Sequence, residues 1–193
     1  MADYYDPNPQ RLPRIPIALV GFLGADQDVV ATKLAALTGL NAHDVENLVI
    51  HRAGASTGKV FLDLGPSHYR ALARECLETA LADTPPGIIS LPHGMLVEPE
   101  DRAMVVSKAA LVYLHQDFEP MVRRVQSRVE ERPGIYFPWI APGEPCISTL
   151  EQLFEERREG YDAAMFHLNV TDRAAVDVAR ELVEQFDLWE SDD

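Results

Sequence analysis

The chain has 193 residues, 47% of them hydrophobic and 25% charged, which suits a single globular domain with a sizeable core. A formal net charge of −14 argues against a nucleic-acid surface, and no apolar run approaches the roughly 18 residues needed to span a bilayer. Cys76 and Cys146 make neither a disulfide framework nor a zinc spacing, so the expected compartment is a reducing cytoplasm, with neither nucleic acid nor membrane as partner.

Residues 1–14 contain Pro7, Pro9 and Pro13 and lack a basic segment followed by an apolar one, so they read as an extended tail and not a secretory signal. Residues 15–187 are expected to form one domain, and 188–193 an acidic tail. Ile17, Ala18, Leu19 and Val20 predict a short buried strand; Gly21 and Gly24 open a tight turn, and helical periodicity runs from Asp26 to Leu37, with Val29, Val30, Leu34 and Leu37 on one face. This is the frame of a phosphate-binding loop. In its signature, G-x-x-x-x-G-K-[ST], backbone N–H groups close on phosphate, the lysine contacts it and the hydroxyl ligates Mg²⁺. Asp26, Gln27 and Asp28 occupy the last three positions here, so two carboxylates stand where an anion should dock. Asp26 or Asp28 is expected to cap the helix with its own carboxylate and fill the anion position.

Asp44 and Glu46 form an acid pair, readable as a solvated turn or a ligand site, and Gly54 and Ser56 mark a turn. A helix is predicted over 66–83, with Tyr69, Leu72, Cys76, Leu77 and Leu81 as its stripe, ended by Pro85 and Pro86. Residues 87–91 and 110–115 read as buried parallel strands, separated by the turn Pro92-His93-Gly94 and a helix over 98–108. A helix over 118–131 carries Arg123, Arg124 and Arg128. It leads into a Pro-rich loop with Tyr136, Phe137 and Trp139, a lid over the cleft or a partner-binding patch. Further elements are a helix over 149–164, a strand over 166–170 and a helix over 173–186 capped by Asp172. Strands alternating with helices predict a three-layer α/β/α domain with a central parallel sheet.

The order of these pieces, from about Ile15 to Phe186, resembles the shikimate kinase family, which has the P-loop, nucleoside monophosphate kinase-like fold. GFLGA resembles the family's GFMGAGKS/T start; Asp44-Val45-Glu46 falls at D-x-D, and Arg52 to Ser56 at R-x-G-x-S. Gly65, Tyr69 and Arg70 fall at G-E-x-x-F-R, residues 97–102 resemble LEPENR, Arg132-Pro133 the lid's R-P, and Arg157 with Tyr161 R-x-x-x-Y. The resemblance implies that Glu46 holds and helps activate an acceptor hydroxyl, and that Arg70 and Arg157 grip a carboxylate. Asp44 and Gly94 would complete the acceptor site, Gly21, Gly24, Asp26, Gln27 and Asp28 would form the nucleotide loop, and Arg128 and Arg132 would belong to a lid over about 128–148. It also departs from the family: Pro92-His93-Gly94 replaces a Gly-Gly-Gly turn, removing one N–H and adding two side chains.

Two functions are expected from this. One is a catalytically inactive or strongly impaired, pseudokinase-type protein of the family, without a cofactor, acting as a binding or regulatory module for an anionic small molecule or a protein partner. The other is a divergent small-molecule kinase that phosphorylates shikimate or a related hydroxy acid with ATP, with Mg²⁺ held by Asp28 or Asp44 and lid arginines replacing the missing lysine.

Overall fold

A computed structural model describes residues 13–131 and 147–188. Its centre is a five-stranded, wholly parallel sheet in the order β2-β3-β1-β4-β5, built from β1 (Ile17–Gly21), β2 (Ala42–Asp44), β3 (Ile88–Ser90), β4 (Ala110–His115) and β5 (Phe166–Asn169). β1 lies in the middle, where Ile17 faces Ile88 of β3 on one side and Ala110 of β4 on the other. A central parallel strand is covered on both faces, which is why Ile17, Ala18, Leu19 and Val20 are all buried without polar alternation.

Side-chain alternation along the strands divides the core in two. Ile17, Leu19, Ile88, Val112 and Leu114 pack beneath α1 (Gln27–Thr38) and α7 (Ala175–Gln185). Ala18, Val20, Ile89, Leu111 and Tyr113 face the opposite layer, formed by α2 (Val45–Ala53), α3 (Thr57–Leu81), α4 (Pro99–Lys108), α5 (Phe118–Glu131) and α6 (Ile147–Asp162). The three-layer α/β/α architecture is the one expected from the alternating pattern.

Several local expectations are corrected. Asp44 ends a short strand and caps α2 through its Oδ1, which accepts from the N–H groups of Glu46 (2.9 Å) and Asn47 (3.3 Å); of the two readings of the acid pair, the solvated turn gives way to a strand–helix junction. The helix predicted from Pro66 does start there: the span of α3 holds two helical segments separated by Gly65, whose φ of 83° and ψ of 167° are non-helical, and the segment before Gly65 is an addition to the expected elements. Val29 is 41% exposed, and Ala31 takes its place on the buried face of α1. Asp172 has left-handed φ and does not cap α7, whose N-cap is Ala174. The lid-like segment, with Arg132, Tyr136, Phe137 and Trp139, lies outside the described residues apart from the ends of its flanking helices, as do both tails but for Pro13, Arg14 and Leu188; the side chain of Arg128 also lies outside them.

Candidate active site

Parallel strands deliver their following loops to one edge of the sheet, and the loops after β1 and β3 face each other there across a cavity of about 350 Å³. Gly24, Asp26, Gln27 and Asp28 line one wall. Asp44, Glu46 and Arg70 line another, and Pro92, His93 and Gly94 a third. Residues read from sequence at distant positions thus meet in one place.

The turn after β1 is held by side chains, though not in the manner expected. Asp26 is the N-cap of α1, with φ 53° and ψ 36°, yet its carboxylate makes no capping hydrogen bond; it lies 3.9 Å from the Arg124 guanidinium. A left-handed backbone aims the Asp26 carboxylate away from the N–H groups of the first helical turn, and Asp28 caps nothing either. The self-capping expectation is therefore replaced by a different tether. Arg124 Nη1 donates to Gly24 O at 2.9 Å and to Gln116 Oε1 at 3.3 Å, while Gln116 Nε2 donates to Leu23 O at 3.3 Å. Gln27 turns its amide across the cleft, and Nε2 donates to Leu91 O at 3.1 Å. The three bonds to backbone carbonyls join residues 64 to 100 apart in the chain, so no local pattern could have announced them.

On another wall Glu46, in the first turn of α2, accepts from Thr57 Oγ1 at 2.9 Å. Burial pushes its carboxyl above the usual range, the Thr57 hydrogen bond opposes this, and the charges of Asp44 and Asp28 push it further up. Asp44 is raised as well, mainly by burial, against the backbone hydrogen bonds of Asn47 and Glu46. Arg70 reaches the cavity from α3, with Nε 3.3 Å from Glu98. Arg157, on α6, is not among the residues that line the cavity; it is 3% exposed, with Nη1 donating to Leu153 O at 2.6 Å. Its guanidinium pKa is lowered by burial first, with a smaller contribution from the charge of Arg70. Among the described residues, six carboxylates and one cation, Arg70, line the cavity.

The His93 loop is fixed from outside. Tyr161 Oη donates to His93 O at 2.8 Å, and Gly160 packs so closely that an added Cβ would lie 2.7 Å from Leu96 Cβ. His93 is half-buried as a residue, but its Nδ1 is shut from solvent without a hydrogen-bond partner among the described residues. Burial, aided by the charge of Arg157, pushes the imidazole down to about 3, so it is neutral at ordinary pH.

Comparison with known proteins agrees with this architecture. The family model described as shikimate kinase matches residues 24–187. The chain belongs to the shikimate kinase family. The shikimate kinase of Caulobacter vibrioides is 33% identical over 156 residues, 81% of this chain and 74% of that one. That of Salinispora arenicola is 31% identical over 171 residues, covering 83% of this chain and 93% of the relative. Among solved structures, shikimate kinase from Acinetobacter baumannii in complex with shikimate superposes with a TM-score of 0.78 at 22% identity, covering 91% of this chain and 93% of that chain; it supports the fold.

ATP and Mg²⁺ belong to shikimate kinase activity, and the site suits them unevenly. No group of three or more His, Cys, Asp or Glu side chains among the described residues is placed to hold a metal ion. Asp44 is spent on capping α2, with Oδ2 accepting from Asn47 Nδ2 at 2.7 Å. Asp28 is the remaining expected ligand, and one carboxylate together with substrate phosphates is a common way to hold Mg²⁺.

Proposed function

We propose that this member of the shikimate kinase family is a small-molecule kinase that transfers a phosphoryl group from ATP to a hydroxyl of shikimate or a related hydroxy acid. The observation that carries the proposal is the single cavity, with the turn after β1 on one wall and Glu46 and Arg70 on another. Glu46 is the acceptor-side base: it takes the hydroxyl proton, and its raised pKa brings it toward the operating pH, where a general base is most effective. Arg70 and Arg157 supply the cationic groups for the acceptor carboxylate, and Gly94 and Asp44 complete that wall. Asp28 would hold nucleotide-bound Mg²⁺, which would supply charge neutralisation during transfer. Arg128 and Arg132 are the lid cations of this proposal.

A second reading has its own observation. Gln27 stands at the lysine position with its amide committed to Leu91 O, and carboxylates flank it on both sides. A neutral side chain between two acids cannot replace the charge of an ammonium, which favours strongly impaired transfer and a role as a small-molecule-binding or regulatory module. A coupled assay of ADP release with ATP–Mg²⁺, run with and without shikimate, separates the two. ADP release dependent on shikimate supports the kinase. Shikimate binding seen by calorimetry without ADP release supports the module.

A further inference from the structure

Thr57 carries a buried hydroxyl that its own helix does not use. It is the first residue of the α3 span, where the preceding Ser56 already serves as N-cap, its Oγ accepting from the Lys59 N–H at 3.3 Å. Thr57 is 7% exposed, and its Oγ1 donates across to α2, to Glu46 Oε1 at 2.9 Å. A valine would fill nearly the same volume and bring no polar atom to satisfy, so neither capping nor packing calls for a hydroxyl at this place.

Glu46 does call for one. It stands where the D-x-D pattern has its second aspartate, so its carboxylate sits on one more methylene and turns about a third side-chain torsion, which is broad in glutamate. Glu46 lines the cavity, and the like charges of Asp44 and Asp28 push against it and do not anchor it. Among the described residues Thr57 is its one side-chain hydrogen-bond donor; Oε2 accepts no hydrogen bond and is not shut from solvent. The carboxylate is thus pinned at one oxygen and available at the other. Granting the proposed function, in which Glu46 takes the acceptor proton, its reacting oxygen has to stay aligned with a hydroxyl about 3 Å away. We infer that Thr57 is a positioning residue for the reaction, its hydroxyl fixing the plane and reach of the Glu46 carboxylate so that Oε2 meets the acceptor hydroxyl.

Two substitutions separate the hydroxyl from the shape. Thr57→Val keeps the branched shape and removes the donor, whereas Thr57→Ser keeps the donor and removes a methyl group. Positioning predicts that Thr57→Val lowers kcat for shikimate-dependent ADP release about tenfold, the effect of one hydrogen bond to a charged group, with a smaller change in KM for shikimate. Thr57→Ser should retain most of the wild-type rate. A packing role predicts the opposite order, because serine leaves a cavity and valine does not. Thr57→Ala compared with Thr57→Ser differs by the hydroxyl alone and gives the same reading should the valine not fit. Combined with Glu46→Asp, which shortens the carboxylate, Thr57→Val should cost less than it does in the wild-type chain, as expected if it acts through Glu46. A Thr57→Val enzyme with wild-type kcat, or a Thr57→Ser enzyme as impaired as Thr57→Val, overturns the inference and leaves the kinase proposal standing. If wild type binds shikimate without releasing ADP, the kinase proposal fails and the ¹³C signal of the Glu46 carboxyl decides. Movement of that signal on shikimate addition in wild type and Thr57→Ser, but not in Thr57→Val, supports the inference, and the same response in all three overturns it. Wild type that neither binds shikimate nor releases ADP overturns both.

Discussion

At the scale of single residues, the site contains titrating groups that act on stability with opposite signs. The His93 imidazole is pushed down to about 3 by burial and by Arg157, whereas an unfolded chain protonates it near its ordinary value of 6.5. Between those values the unfolded state binds the extra proton, so the His93 contribution to stability is lost as pH falls from 6.5 toward 3. Glu46 and Asp44 are raised, so their folded forms hold protons longer, and they contribute the reverse, stability regained as pH falls through their folded pKa values. Comparing wild type with His93→Asn isolates the imidazole: the variant's stability relative to wild type should increase between pH 7 and pH 5, measured by urea denaturation at each pH. The turn after β1 gives a second prediction. Changing Asp26 to Gly, Gln27 to Lys and Asp28 to Ser together alters its charge from −2 to +1 and restores the phosphate-binding residue types. ATP–Mg²⁺ affinity measured by calorimetry should rise by about tenfold or more, since each added opposite charge near a phosphate contributes on the order of 1 kcal/mol. Unchanged affinity would show that the nucleotide wall differs beyond these three positions.

At the scale of elements, the acceptor wall depends on how α6 meets the loop after β3. Gly160→Ala would drive a methyl group to 2.7 Å from Leu96 Cβ and 2.8 Å from Leu96 O, and backbone cannot yield there as a side-chain tip could. The expected cost is about 1–3 kcal/mol of stability, with weaker acceptor binding because His93 shifts with its loop. Thermal unfolding and calorimetry on the same variant check both. The long-period elements could be read from sequence: β1, β4, α4 and α5 fall within a residue of their expected places because apolar runs, a proline at the first turn and charged faces specify them locally. The segment 42–64 could not. A three-residue strand offers no periodicity, and α2 and the first part of α3 are short helices whose stability comes from packing on each other and on the sheet. The site was partly legible: of the residues expected on the acceptor side, Asp44, Glu46, Arg70 and Gly94 line the cavity and Arg157 does not; on the nucleotide side Gly24, Asp26, Gln27 and Asp28 do and Gly21 does not. The tethers were not, since Arg124, Gln116 and Gln27 reach backbone carbonyls that only the tertiary fold brings near.

At the scale of the whole molecule, the sheet separates two apolar layers that share strands without sharing side chains. Val105 on α4 and Val178 on α7 are both buried, one in each layer. Truncating either to Ala should cost about 1–3 kcal/mol, from the lost methyl groups and the residual cavity. Sites without common partners add, so the double variant should lose the sum to within about 0.5 kcal/mol by urea denaturation. A clear excess over the sum would mean that the sheet transmits strain from one layer to the other.

The bond from Gln27 to Leu91 O has an evolutionary consequence. A lysine arriving alone at position 27 would withdraw the donor from that carbonyl and find Asp26 and Asp28 as its nearest neighbours in sequence, so its charge would be neutralised before any phosphate met it. The three loop positions therefore form an epistatic set. Removing the two acids first and adding the lysine last is the order in which single substitutions should each raise ATP–Mg²⁺ affinity.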